Sequence, residues 1–284
     1  MNTGTLLIII ATIILAPIIG GLLAGIDRKV TAWLQGRFGP PIVQPFYDVM
    51  KLFGKTRMVV NTWQVFCAYI YLFSAILSLI LLVIKSDLLL ILFVMSIGAV
   101  FLVMGALAAQ SPYSQIGSQR ELLQMLAYEP LIILVFVGIY LVTGSFKVNS
   151  ILNYGKPLLL SLPLLFIVLT LVLTIKLRKS PFDISTSHHA HQEIVKGILT
   201  EYAGPYLAIV EVAHWYEIIL ILGIVALFWA TNWIGAAILL VLTYFFELII
   251  DNVMARMTWR WMLKYVMTVG LILSVVNIIW LYLM

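Results

Sequence analysis

Along the chain, long apolar runs alternate with short polar segments. Eight runs, at roughly 5–26, 63–84, 88–109, 121–143, 157–177, 202–230, 233–251 and 262–283, are bounded by charges and turn residues. A helix needs about 20 apolar residues to cross a bilayer, so each run predicts one transmembrane α-helix. A different pattern holds between the first two. After the turn residues Gly36, Gly39, Pro40 and Pro41, the apolar positions Ile42, Phe46, Val49, Met50 and Phe53 recur at helical spacing. Gln44, Asp48, Lys51 and Lys55 lie opposite them. That pattern predicts an amphipathic helix in the membrane interface, either an anchor or part of a site.

Composition agrees. The 284 residues are 63% hydrophobic and only 10% charged, against about 25% charged for a soluble domain. The expectation is a single all-α integral membrane domain over 1–284, with eight transmembrane helices and the interfacial helix after the first. The first run is retained rather than cleaved, since Met1-Asn2-Thr3-Gly4 has no basic character and Asp27-Arg28-Lys29 follows the run at once. The loops 27–62, 110–120, 176–201 and 252–261, with the adjoining helix ends, carry 14 of the 17 lysines and arginines. The other side holds only Lys85, Lys147 and Lys156. The positive-inside rule makes the basic loops cytoplasmic and both termini external, in the cytoplasmic (inner) membrane.

Several chemistries are excluded. Cys67 is the only cysteine, so the chain can form no internal disulfide and cannot hold an iron–sulfur cluster. Of four histidines only His214 lies in a span, which leaves a membrane haem without its second axial ligand. Gly54-Lys55-Thr56 ends like a phosphate-binding loop, but Val49 stands where the first glycine belongs. In His188-His189-Ala190-His191 no further cysteine or histidine pair is near enough to complete a zinc site. These histidines read as polar groups at a subunit or water interface, and no metal or cofactor is expected in this chain.

The acids carry more information. Glu129, Glu211, Glu217 and Glu247 fall within spans, while Glu121, Glu193, Glu201 and Asp251 lie at or near span ends. An acid at mid-bilayer costs at least ~2.5 kcal/mol unless it faces water, pairs or holds a proton. Arg120 near Glu121, and Arg256 or Arg260 near Asp251, are candidate pairing partners. Glu211, His214 and Glu217 follow at i, i+3 and i+6, forming a stripe along one helix flank. Such a stripe suits a proton relay or a hydrogen-bonded cluster that ties helices together.

The cytoplasmic segments resemble a known family. Asp27-Arg28-Lys29 through Gln35-Gly36-Arg37-Phe38-Gly39-Pro40, then Gln44-Pro45-Phe46-Tyr47-Asp48, are similar to the signature of the membrane-embedded H subunit of complex I. So are Gly117-Ser118-Gln119-Arg120-Glu121 through Tyr128-Glu129, Ser180-Pro181-Phe182-Asp183-Ile184 and Glu201-Tyr202-Ala203-Gly204. The loop Ser185 to Gly197, Pro205, and Ala213-His214-Trp215-Tyr216-Glu217 depart from the quinone-reducing members. There the chain looks like the matching subunit of energy-converting, Ech-type nickel–iron hydrogenases.

The resemblance implies a membrane anchor and proton-path subunit that couples ferredoxin-linked proton reduction to ion translocation. Its partners would be the hydrogenase large and small subunits, an iron–sulfur subunit and an antiporter-like membrane subunit. The nickel–iron centre and iron–sulfur clusters would belong to those partners. The implied proton path is Glu129, Asp183, Glu193, Glu201, Glu211, His214 and Glu217. The implied cytoplasmic interface is Arg28, Lys29, Arg37, Asp48, Lys51, Arg120, Glu121, Arg178, Lys179, His188, His189 and His191. Two other readings stay open: the quinone-site subunit of a NADH- or ferredoxin-linked oxidoreductase, and an autonomous ion transporter. The long basic loops and the absence of an internal repeat disfavour the transporter.

Overall fold

A computed structural model describes residues 3–186 and 196–283. Among these residues the protein is all-helical, and its only extended pairing is an isolated bridge between Asp87 and Lys147. The chain runs through α1 (Thr3–Leu34), α2 (Gln44–Phe53), α3 (Thr62–Val83), α4 (Leu88–Leu107), α5 (Pro112–Thr143) and α6 (Val148–Leu152). It continues through α7 (Leu158–Ser161), α8 (Pro163–Lys176), α9 (Pro205–Leu227), α10 (Trp233–Val253) and α11 (Trp259–Leu283).

Local chemistry sets several boundaries. Asn61 begins α3 by accepting the Trp63 N–H at 3.0 Å, and Asn232 begins α10 by accepting that of Ile234 at 3.1 Å. Each satisfies a donor that the first helical turn leaves without a partner.

Seven helices, α1, α3, α4, α5, α9, α10 and α11, are long and apolar enough to span. The predicted fifth span is the exception. It is broken into α7 and the 14-residue α8, about 21 Å at 1.5 Å per residue. The interruption falls at Leu162, immediately before Pro163, whose ring removes a backbone donor and disfavours helix in the residue before it. A second difference concerns the loop at 110–120. Helix α5 begins at Pro112, nine residues before the apolar run, because Ser114, Gly117 and Ser118 present a small face that becomes buried.

The chain resolves into two compact units. One comprises Met1–Ile84, Ile91–Leu122 and Ile184–Leu220; the other comprises Lys85–Leu90, Leu123–Asp183 and Ile221–Met284. In the first, α1 packs on α2 and α3. Lipid removes most of the hydrophobic drive between helices, so close approach depends on small residues. Gly20, Gly21 and Gly25 supply it. A Cβ on them would meet the Trp215 backbone, the Phe46 ring and the Ile42 carbonyl respectively. Helix α2 presses Val49 against Ala208 and Trp215, flanked by Phe46 and Leu52. Its Tyr47, Met50 and Phe53 remain exposed, so the predicted apolar stripe is shared between the helices and the outside.

In the second unit α8 packs against α10 and α11. Asn277 of α11 caps α8 from across the contact, its Oδ1 accepting the N–H groups of Leu164 and Leu165 at 3.0 Å each. Its amide donates to the Ser161 carbonyl at 3.2 Å. The capping residue of α8 itself, Leu162, has no side chain able to do this.

Candidate functional site

The predicted site residues separate into two sets, one in each unit. In the first unit, Arg28 of α1 pairs with Asp48 of α2 at 2.7 Å, and Gln44 donates to the other Asp48 oxygen at 3.2 Å. Beside this pair lies a cavity of about 270 Å³ whose lining includes Arg28, Lys51, Lys55, Lys196, Glu211 and Trp215. Thus α2 carries a charged wall, and Glu211 is the acid that α9 presents to it. Lys29 and Arg37 are exposed.

The stripe on α9 continues inward. His214 Nδ1 lies 3.8 Å from Glu217 Oε2, and Glu217 is buried. The hydroxyl of Tyr71, on α3, donates to the same Glu217 oxygen at 2.8 Å. Tyr71 sits in an otherwise apolar run, and only its phenol hinted at a polar partner. The spacing prediction for Glu211, His214 and Glu217 therefore gains a member 146 residues away from Glu217 in sequence. One end opens on a basic cavity and the other is closed by a tyrosine.

At the start of α5, Glu121 accepts a hydrogen bond from Ser185, and Arg120 donates to the Ile184 carbonyl at 3.4 Å. This holds the chain after Asp183 against α5. Gly117 and Gly197 permit that approach, since a Cβ on Gly117 would lie 2.4–2.8 Å from the Gly197–Ile198 backbone. Glu201 is partly exposed, three residues before a sharp turn at Gly204 (φ +53°). Glu193, His188, His189 and His191 lie outside the described residues.

In the second unit, Asp183 receives both Nε and Nη2 of Arg256, the Nε contact at 2.8 Å. Asp251 accepts the Ser180 N–H at 2.9 Å. Arg260 lies over the Trp259 ring. Arg178 is half-buried with φ +53°, and Lys179 is buried, its ammonium 5.1 Å from the centre of the Tyr244 ring. Lys176 is also buried, 4.5 Å from the Tyr128 ring. Two of the basic residues that the sequence assigns to a cytoplasmic face thus point into the protein. Glu129 keeps one carboxylate oxygen buried without a hydrogen-bond partner among the described residues. Glu247 is fully buried, and neither of its carboxylate oxygens has a hydrogen-bond partner among the described residues.

Seven long apolar helices among the described residues, with buried carboxylates held by tyrosine, histidine and serine, define a multi-pass membrane protein with an ionisable interior. The family model described as NADH dehydrogenase matches residues 6–282. The chain belongs to that family, the one containing the H subunit of complex I. It is 26% identical to the H subunit of NADH-quinone oxidoreductase from Carboxydothermus hydrogenoformans, over 66% of this chain and 59% of that protein. It is 29% identical to hydrogenase-4 component C of Escherichia coli K12, over 67% of this chain and 64% of the relative. The chain thus spans roughly three-fifths of the length of these curated relatives. A chain in the structure of the membrane-bound sulfane sulfur reductase, an archaeal respiratory membrane complex, shares the fold. Its TM-score is 0.83 at 24% identity, covering 96% of this chain and 99% of that one.

Proposed function

We propose that this protein is the membrane anchor and proton-path subunit of an energy-converting nickel–iron hydrogenase, coupling ferredoxin-linked proton reduction to ion translocation. The observation that carries the reading is the ladder in the first unit. Glu211 meets a basic cavity, His214 and Glu217 follow on the same flank, and Tyr71 closes the inner end. A histidine between carboxylates can accept a proton from one and release it to the other. The similarity to hydrogenase-4 component C supports the hydrogenase assignment. In this reading the chain crosses the membrane eight times, α7 and α8 together forming the short crossing, with both termini outside. The basic loops receive the hydrogenase large, small and iron–sulfur subunits, which carry the metal centres. An antiporter-like subunit lies alongside in the membrane.

The test is Glu211→Gln and Glu217→Gln in the assembled complex. Hydrogen evolution without ion uptake into membrane vesicles is the expected result. Unchanged evolution and unchanged uptake in both variants refute the path. A second reading, a quinone-site subunit, draws on the similarity to the NADH-quinone oxidoreductase protein. Nickel in the purified complex without quinone reductase activity selects the first reading, and the converse selects the second.

A further inference from the structure

Helix α11 of the second unit carries aromatic residues at both ends but charge at only one. Trp261 is 66% exposed near its start, and Trp280 and Tyr282 are exposed near its end. Trp261 and Trp280 are nineteen residues apart, about 28 Å along a helix rising 1.5 Å per residue. That separation matches the ~30 Å hydrocarbon core of a bilayer, at whose two edges tryptophan and tyrosine collect. Between them Leu271, Ile272, Val275, Val276 and Ile279 form an exposed apolar face. From Tyr265 to Met284 there is no charged residue.

The start of the helix is different. Arg260 and Lys264, both exposed, lie one turn apart on α11. The Arg260 guanidinium is 5.2 Å from the centre of the Trp259 ring, and the Lys264 ammonium is 5.7 Å from that of Trp261. Lys264 starts about one turn deeper in the bilayer than Trp261. Its apolar stem therefore carries the ammonium back toward the helix start, the direction in which helical side chains lean. Neither cation has an acid or a hydrogen-bond partner for its side chain among the described residues. Arg256, four residues earlier, is by contrast paired with Asp183. Like charges one turn apart on a helix repel, and an anion within reach of both removes that repulsion.

We propose that Arg260 and Lys264 bind the headgroup of an anionic phospholipid in the leaflet that meets the start of α11. The two cations take the phosphate, the Trp259 and Trp261 rings hold them at headgroup depth, and the acyl chains run down the apolar face toward Leu271 and Ile272. A zwitterionic lipid presents the same phosphate, but its own ammonium cancels most of the attraction, so the site favours a head with net negative charge. An acidic segment of a partner protein matches the charge but not the depth. To reach Lys264, below Trp261, it would bring backbone polar groups into hydrocarbon, where they find no partners. A lipid phosphate already lies at that boundary.

The test is native mass spectrometry of the full-length protein in detergent, titrated with dioleoyl phosphatidylglycerol or dioleoyl phosphatidylcholine. It depends neither on the hydrogenase assignment nor on the proton path. The wild-type chain should bind the glycerol lipid more tightly than the choline lipid. Each of Arg260→Gln and Lys264→Gln should weaken phosphatidylglycerol binding about fivefold, and the double variant roughly 25-fold, with phosphatidylcholine binding unchanged. Lys147→Gln with Lys156→Gln, which removes the same charge from two other exposed lysines, should leave both affinities as they are. Inorganic phosphate at the lipid's concentration should not compete, since it has no chains to seat on the apolar face. Equal binding of the two lipids by the wild-type chain overturns the proposal. So does an equal loss in the two double variants, which would make the effect one of net charge, and so does competition by inorganic phosphate. Binding by the isolated chain that disappears in the assembled complex hands the two cations to a partner subunit and overturns it as well.

Discussion

Replacing Tyr71 by phenylalanine deletes one hydroxyl and the 2.8 Å hydrogen bond to Glu217, while the ring stays in its buried position. A hydrogen bond to an ionised acceptor is worth about 1.5–3 kcal/mol, against about 0.5–1.5 kcal/mol for a neutral pair. If Glu217 is a carboxylate, Y71F should therefore cost about 1.5–3 kcal/mol in the wild-type background. In the E217Q background the glutamine carbonyl can still accept the bond, but without charge, and the cost should fall to about 0.5–1.5 kcal/mol. The assay is a double-mutant cycle on the reversible unfolding of detergent-solubilised protein. A coupling of about 1–1.5 kcal/mol is expected, above the ~0.5 kcal/mol within which unconnected sites add. Equal costs in the two backgrounds would mean that Glu217 is already uncharged. A Y71F cost below about 0.5 kcal/mol in both would refute the reasoning altogether.

Three further substitutions have defined outcomes. Gly25→Ala places a Cβ 1.8 Å from the Ile42 carbonyl oxygen, where ordinary contact begins near 3.4 Å. The segment leading into α2 must retreat by about 1.6 Å, and overpacking of this kind costs about 1–3 kcal/mol, read as a lower melting temperature. Asn277→Ala removes the acceptor shared by the Leu164 and Leu165 N–H groups. A loss of about 1–3 kcal/mol is expected for stranding buried donors, again by thermal unfolding, and an unchanged midpoint would show that α8 needs no cap. Arg256→Gln breaks the pair with Asp183, but the arginine is one-third exposed. The cost should be at most about 1 kcal/mol and should shrink at high salt, so melting at low and high ionic strength checks it.

The long helices were legible because an apolar run of about 20 residues has one stable form in lipid. The amphipathic α2 was legible from its spacing. The break at Leu162 was not, since hydropathy averaged over residues 157–177 does not register the missing donor of Pro163. The early start of α5 was hidden for the opposite reason: Ser114, Gln115, Ser118 and Gln119 read as loop, and only packing shows that their small members face inward. At the site, the i, i+3, i+6 stripe follows from helix geometry alone. Tyr71 and the inward turn of Lys176 and Lys179 depend on contacts between distant segments, which neither spacing nor charge count contains. The pairing of Arg256 with Asp183, 73 residues away, is of the same kind.

Burial alone does not mark an acid as part of a proton path. Two acids in or near the spans gain a compensating group: Glu217 the Tyr71 hydroxyl and His214, and Glu121 the Ser185 hydroxyl. Such pairing offsets much of the insertion cost, and a purely structural cluster would show as much. The distinction lies in what pairing leaves over. Native interiors saturate nearly all buried polar atoms, yet Glu129 Oε1, His214 Nδ1 and both oxygens of Glu247 have no hydrogen-bond partner among the described residues. Buried atoms of Gln64, Ser114 and Thr186 are open as well, but those side chains do not exchange protons near neutral pH, whereas carboxyl and imidazole groups can. A group that exchanges protons needs a position its fixed neighbours do not fill, so the open atoms, more than the charge count, single out Glu129, His214 and Glu247 for substitution.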